Sequence, residues 1–213
     1  ELVGVDEEDW ANRWKQFYKP LHIGRHLLVL PPWEKCDIKE DDVVVLMDPG
    51  MAFGTGTHET TKLCLEMLEK YLRKGERMLD VGTGSGILSI AGVKLGAEFA
   101  CAYDIDPVAV RVAKENAEKN GVSDRIECGV SDLLSGVNRE KTPYMLVTAN
   151  IVADILIRMA PDIAAFMGRG ARLIASGIIE SRKQDVLAAM EAGGLHCLEE
   201  NGEKDWCVLV FER

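Results

Sequence analysis

The stretch "LDVGTGSGILSI", Leu79 to Ile90, places a glycine-rich turn between a predicted strand and a predicted helix. In open α/β sheets, the carboxyl end of a strand at such a junction is where nucleotides bind. Glycines at this point permit a tight turn and a close approach of the backbone to a ligand. The stretch therefore predicts an α/β fold with a ligand site at this junction.

Strands and helices alternate on both sides of this stretch. The hydrophobic pattern predicts helices over 59–73, 86–95, 107–120, 151–165 and 181–192. It predicts strands over 77–81, 99–104, 125–129, 144–149 and 171–176, and two closing strands over 195–200 and 206–211. Such alternation indicates βαβ units, and the short turn between the closing strands indicates an antiparallel hairpin. We therefore predict an α/β, Rossmann-like fold with a seven-stranded, mostly parallel sheet and an antiparallel C-terminal hairpin.

Local signals fix the predicted helix 107–120 most clearly. Asp106 can cap its start, Pro107 fits its first turn, and Gly121 stops it. Its predicted buried face consists of Ala109, Val112, Ala113 and Ala117.

The segment before residue 59 is less regular. "RHLLVLPPW" and "DVVVLMDPG" each read as a short strand that a proline turn closes. Further upstream, an aromatic stripe with helical spacing predicts a helix over 9–19 that Pro20 ends; its members are Trp10, Trp14, Phe17 and Tyr18.

Composition excludes several classes of protein. The 213 residues allow one large domain, or one domain with an appendage. No apolar run approaches the length of about 18 residues that a membrane span needs. The formal net charge of −10 argues against a general nucleic-acid surface, which would need a basic face. The six cysteines form no CxxC pair, which is typical of reduced thiols in a cytosolic protein, and we expect no metal site.

The glycine spacing distinguishes between cofactors. A dinucleotide fingerprint, GxGxxG, needs a third glycine at position 87, where the chain has Ile87. The spacing from Asp80 through Gly82 and Gly84 to Gly86 instead resembles motif I of the class I methyltransferases, which bind S-adenosylmethionine. An acidic residue at the strand end can favour the ammonium group of that cofactor. NAD binding and a purely structural turn remain as alternatives.

Two further acids follow the next two strands. Asp104 lies at a strand end, where a carboxylate can accept hydrogen bonds from both ribose hydroxyls. Asp132, in "GVSDLL", could sit beside the adenine amine, and the alternative is a solvated loop acid. We therefore predict that both residues bind the cofactor.

Asn150 ends a predicted strand in "VTANIVADIL". In amide and adenine methyltransferases an Asn or Asp at this place begins an NPPY-like motif and accepts a hydrogen bond from the nitrogen to be methylated. The prolines and the stacking tyrosine of that motif are absent here, so an aliphatic amine is a better fit than a planar amide or base. The alternative is that Asn150 merely caps helix 151–165.

Five segments together resemble one family. In chain order they are "DPGMAFGTGTHETT", "LDVGTGSGILSIA", "DIDPVAV", "NGVSDRIE" and "ANIVADIL", and they look like the PrmA family, bacterial enzymes that trimethylate large-subunit ribosomal protein eleven. The resemblance implies a linker helix over 1–20 and a catalytic domain over 21–213. From the same resemblance we expect the family's N-terminal recognition domain to be absent from these 213 residues. Because the chain begins with Glu1, we expect residues to precede it in the native protein.

The resemblance also implies roles for residues. The positions of Thr61, Gly82, Asp104 and Asn150 contact S-adenosylmethionine in the family. The first glycine run, 48–61, would then form a lid over the cofactor site. Within this run, Phe53 would screen the sulfonium from water or serve as a packing anchor.

The implied function is an S-adenosylmethionine-dependent protein N-methyltransferase of the cytoplasm. Its partner would be ribosomal protein eleven, modified on lysine and N-terminal amines, without direct nucleic-acid or membrane contact. Asn150 is the predicted catalytic residue, and His58 is a weaker candidate for a general base. A class I enzyme for a small-molecule amine and a non-catalytic cofactor-binding module remain as alternatives.

Overall fold

The computed structural model describes residues 18–48, 56 and 58–213. The predicted N-terminal helix, apart from its last two residues, lies outside the described residues. So do most of the predicted lid and Phe53, and these predictions stay predictions. Residues 18–20 are not helical, in keeping with the extended conformation that Pro20 favours in the residue before it.

Ten strands and five longer helices make up the described fold. The strands are β1 Leu21–Ile23, β2 Leu27–Leu30, β3 Val43–Leu46, β4 Arg77–Val81, β5 Phe99–Asp104, β6 Ile126–Val130, β7 Tyr144–Asn150, β8 Met167–Ile179, β9 His196–Glu203 and β10 Trp206–Glu212. The helices are α1 Glu59–Tyr71, α2 Ile87–Leu95, α3 Pro107–Lys119, α4 Ala153–Ile163 and α5 Lys183–Ala192. No helix in the described part of the chain has the length and apolar character that crossing a membrane requires.

The main sheet has seven strands in the order β6-β5-β4-β7-β8-β10-β9. β10 runs antiparallel to both β8 and β9, and the remaining neighbours are parallel. The predicted fold class and the antiparallel C-terminal hairpin are therefore confirmed. The chain proceeds from β4 outward to β6 and then returns to place β7 on the other side of β4. This reversal creates a crevice at the carboxyl ends of β4 and β7, the place where open α/β sheets bind ligands.

Both faces of the sheet are buried. Met78 and Leu79, neighbours on β4, are fully buried and belong to two different apolar clusters. Because side chains of a strand alternate between the faces of a sheet, one cluster lies on each face. Because both faces are covered, a ligand can reach the sheet at the carboxyl edge of its strands, where the crevice lies.

The two short strands predicted before residue 59 are confirmed as β2 and β3, and the structure adds β1. β1, β2 and β3 form a separate three-stranded sheet, in which β1 and β2 make a hairpin. The Glu69 carboxylate of α1 accepts the backbone N–H groups of Arg25 and His26, each at 2.7 Å. β1 was not predicted, because its three residues are too few to show a periodic pattern.

Helix α3 confirms its predicted cap and corrects its predicted face. Asp106 accepts the N–H of Val108 at 2.8 Å. Val112 is only partly buried, whereas Asn116 is buried and donates from Nδ2 to the Ser85 backbone oxygen at 2.9 Å. A polar side chain can replace an apolar one on the buried face because it binds the glycine-rich turn.

Candidate active site

The carboxyl edge of the main sheet encloses a cavity of about 580 Å³. Its volume is within the usual range for sites that bind small molecules and cofactors. Most of the residues predicted to bind cofactor line it: Thr61, Gly82, Gly84, Asp104, Asp132 and Asn150. Asp80 and Gly86 do not line it. The topology thus brings together one end of each of β4, β5, β6 and β7.

The glycine-rich turn needs glycine for steric reasons. Gly82 has φ +73°, and a Cβ placed there would lie 2.4 Å from Cγ2 of Ile151. Gly86 has φ +83°, and its Cβ would lie 3.2 Å from the Cα of Ala113 on α3. Residues with side chains rarely adopt these conformations. Glycine at these two positions therefore lets the turn pass close to Ile151 beside the cavity and to Ala113 on α3.

Asp80 lies beneath the turn, fully buried. Its carboxylate accepts three hydroxyl hydrogen bonds, from Thr83 at 2.7 Å, Ser89 at 2.9 Å and Thr148 at 2.7 Å. Burial raises the pKa of Asp80, and the three hydrogen bonds oppose that shift. The carboxylate thereby ties the turn, helix α2 and strand β7 to one point. This placement differs from the direct contact that the sequence suggested.

Asp104 lies at the end of β5 and faces the cavity. Its Oδ2 accepts the N–H of Gly84 at 2.9 Å, and its Oδ1 accepts the N–H of Asp106 at 3.0 Å. An ionised carboxylate has about four acceptor positions, so both oxygens keep capacity for a ligand. The backbone contacts hold the carboxylate in one orientation.

Asn150 ends β7 and does not cap the following helix. The N-cap of α4 is Val152, so the capping alternative is wrong. Asn150 Nδ2 donates to Thr61 Oγ1 at 3.4 Å, and Thr61 is fully buried in the first turn of α1. Asn150 Oδ1 is buried and has no hydrogen-bond partner among the described residues. A buried amide oxygen without a partner is costly, which points to a donor supplied by a ligand.

His58 serves as the N-cap of α1. Its Nδ1 accepts the N–H of Thr60 at 3.3 Å, and its ring packs edge-on against Trp206 with centroids 5.2 Å apart. Next to it, a hydrogen bond from Lys204 lowers the pKa of Glu59 to about 2. The start of α1 is thus attached to the β9–β10 hairpin.

Among the cavity-lining residues that sequence reasoning missed are Arg158, Gly177 and Trp206. Arg158 forms an ion pair with Asp132, with Nη2 and Oδ1 2.5 Å apart. Trp206 begins the last strand, and an aromatic residue after a polar turn was the available signal. The positions of the other two gave no signal, since their partners are distant in sequence.

Gly177 supports the turn that follows Asn150. It has φ +81°, and a Cβ there would lie 2.6 Å from the backbone oxygen of Ile151. The N–H of Ile151 donates to the Ser176 oxygen at 3.1 Å, so β8 and the turn are in direct backbone contact. A side chain at residue 177 would push the two apart.

Gly177→Ala is expected to lower the free energy of unfolding by about 2 to 3 kcal/mol, because it adds a backbone clash to the strain of a positive φ. Gly170→Ala on the same strand is the matched control: it has φ +71° with nothing within 4 Å of its Cβ. The control should lose only about 1 kcal/mol. Urea unfolding measures the free energy of unfolding of both variants. Equal losses of that free energy would show that the contact with Ile151 is unimportant.

The sequence matches the family described as "Ribosomal protein L11 methyltransferase (PrmA)" over residues 1–213. A ribosomal protein L11 methyltransferase of Pelotomaculum thermopropionicum is 50% identical over 206 residues, which cover 97% of this chain and 66% of the relative. The chain thus spans about two thirds of the length of that relative.

Solved structures agree in fold. The crystal structure of a ribosomal protein L11 methylase from Lactobacillus delbrueckii subsp. bulgaricus has a TM-score of 0.85 at 32% identity, covering 92% of this chain and 99% of that one. M. capricolum TrmK in complex with S-adenosyl-homocysteine has a TM-score of 0.60 at 21% identity, covering 70% and 66%. The second likeness supports the fold alone.

Proposed function

The chain belongs to the PrmA family of ribosomal protein L11 methyltransferases, and we propose that it carries the S-adenosylmethionine site and the methyl-transfer residues of such an enzyme. The proposed substrates are lysine and N-terminal amines of ribosomal protein L11, and the proposed location is the cytoplasm. The observation that carries the proposal is the Asn150 amide oxygen, which is buried at the cavity and has no hydrogen-bond partner in residues 18–48, 56 and 58–213. The oxygen lies at the carboxyl end of β7, where the strand order of the sheet reverses, and there a bound ligand can supply a hydrogen-bond donor.

The strand order suggests how the cofactor is held. Asp104 on β5 would accept the ribose hydroxyls, and Asp132 after β6 would meet the adenine amine. Thr61 at the start of α1 and Asn150 at the end of β7 would then border the methionine end with the backbone of Gly82. Asp80 and Gly86 would act indirectly, by holding the turn in place. Bound S-adenosylmethionine supplies the activated methyl group.

The protein's own part in transfer is to prepare the amine. A lysine amine has a reference pKa near 10.4 and must be neutral to react. Apolar groups around the cavity, among them Trp206, Val152 and Ile155, would lower that pKa by excluding water. Asn150 Oδ1 would then accept an N–H of the neutral amine and orient its lone pair, while Thr61 holds the amide. Proximity and orientation therefore carry the rate enhancement.

Asp104→Asn is expected to weaken the binding of S-adenosylhomocysteine about tenfold, because the amide removes the charged acceptor for the ribose and one of the two oxygens that the backbone holds in place. Calorimetric titration of the chain measures this. The matched control is Asp106→Asn, since Asp106 caps α3 outside the cavity and Asn caps a helix equally well. Unchanged affinity of the Asp104 variant would contradict the ribose role, and absence of binding by the unaltered chain would contradict the cofactor site.

A further inference from the structure

We propose that Arg158 is a positioning residue that sets the selectivity of the cavity for a 6-aminopurine base, through its ion pair with Asp132. The inference rests on the proposed function and deepens it, because it concerns how the cofactor's base is recognised. Arg158 lies on α4, after β7, whereas Asp132 lies in the loop after β6. The two cavity-lining side chains therefore join the loop after β6 to the helix after β7, two strands that β5 and β4 separate in the sheet.

The backbone around Asp132 is already fixed. Ser131 Oγ donates to the Leu133 oxygen at 2.7 Å and accepts the N–H of Gly136 at 2.9 Å. Ser135 Oγ donates to the backbone oxygen of Asp132 at 2.9 Å. Leu133 has φ +51°, a strained conformation for a leucine that these bonds maintain. The carboxylate of Asp132, however, receives no hydrogen bond from this loop.

Arg158 supplies that missing constraint. Its Nη2 donates to Asp132 Oδ1 at 2.5 Å, which leaves Oδ2 available to accept a donor in the cavity. The side chains of Arg158 and Asp132 are 55% and 57% exposed, so the pair adds little to stability. Without the arginine, the carboxylate would be free to turn toward solvent. The pair therefore serves orientation rather than stability.

The chemistry of the acceptor specifies the ligand. A carboxylate oxygen accepts from an exocyclic amine and repels an oxo group at the same position. S-adenosylhomocysteine carries the amine, and S-inosylhomocysteine carries an oxo group at that position together with a proton on the neighbouring N1. The ratio of their affinities therefore reports on the orientation of Asp132.

The test titrates both ligands into the unaltered chain and into Arg158→Met. The unaltered chain should prefer S-adenosylhomocysteine by about tenfold or more, since the hydrogen bond has a charged acceptor. Arg158→Met should reduce the preference to about threefold or less, mainly by weakening S-adenosylhomocysteine. Arg182→Met is the matched control, because it removes an arginine that pairs with Asp154 at the start of α4, outside the cavity; it should keep the preference.

Three other outcomes would contradict either the inference or the proposed function. A preference that Arg158→Met leaves intact, with or without an equal loss of both affinities, overturns the positioning role and leaves the proposed function standing. Equal binding of both ligands by the unaltered chain overturns the base contact and with it the inference. Failure of the unaltered chain to bind S-adenosylhomocysteine at all contradicts the proposed function itself.

Discussion

Asn150→Ala is expected to lower the rate constant at saturating cofactor by about a hundredfold, a barrier increase of about 2.7 kcal/mol, as for other positioned hydrogen-bonding groups in active sites. The alanine removes the acceptor that would orient the neutral amine. It leaves helix α4 unaffected, because Val152 and not Asn150 is its N-cap. The measurement is single-turnover methylation of ribosomal protein L11 by the full-length protein.

Asn150→Ser is expected to lower the rate constant by a smaller factor than Asn150→Ala. Its shorter side chain keeps an acceptor oxygen but moves it away from the amine, so a loss of about tenfold is expected. Asp154→Asn is the matched control in the first turn of α4, since Asp154 is exposed and lies outside the cavity. Its turnover should stay within about threefold of the unaltered enzyme. Unaltered turnover in both Asn150 variants would leave the residue with no part in the transfer step.

Asp80→Ala is expected to lower the free energy of unfolding by about 3 to 5 kcal/mol, because it leaves three buried hydroxyl groups without their acceptor. These groups belong to Thr83, Ser89 and Thr148, on three different elements. The loss should appear in urea unfolding as a lower midpoint with an unchanged slope.

Asp80→Asn separates charge from hydrogen bonding. Since burial raises the pKa of Asp80 above its unfolded value, its effect on stability is most favourable at low pH and is lost as pH rises through the folded pKa. A neutral amide keeps acceptor capacity without a buried charge. The Asn variant should therefore lose much less stability at neutral pH than the Ala variant. Equal losses in the two variants would show that the carboxylate charge, not its hydrogen bonds, holds the turn.

Where short-range signals act, sequence alone predicts this fold well. β4 and β5 match their predicted bounds, 77–81 and 99–104, because glycine turns and buried apolar runs delimit them. β8 extends well beyond the predicted 171–176, since its ends pair with β10 and with the start of β7. Pairing of this kind depends on partners that a local pattern does not contain.

In the candidate site, too, sequence predicts the residues that a local signal marks and misses those that depend on distant partners. Strand ends locate Asp104 and Asn150 at one edge of the sheet, and both line the cavity. Whether Asn150 caps a helix depends on where α4 begins, two residues beyond the prediction. The contacts of Arg158 with Asp132 and of Gly177 with Ile151 each join residues 26 apart in sequence. Only the folded chain brings those pairs together.

The most direct test of the central claim is mass spectrometry of ribosomal protein L11 after incubation with the full-length protein and S-adenosylmethionine. We expect mass increments of whole methyl groups, located on lysine side chains and the N-terminal amine, and their near-absence with Asn150→Ala. An unchanged mass of ribosomal protein L11, alongside calorimetric binding of S-adenosylhomocysteine by the same preparation, would contradict that claim.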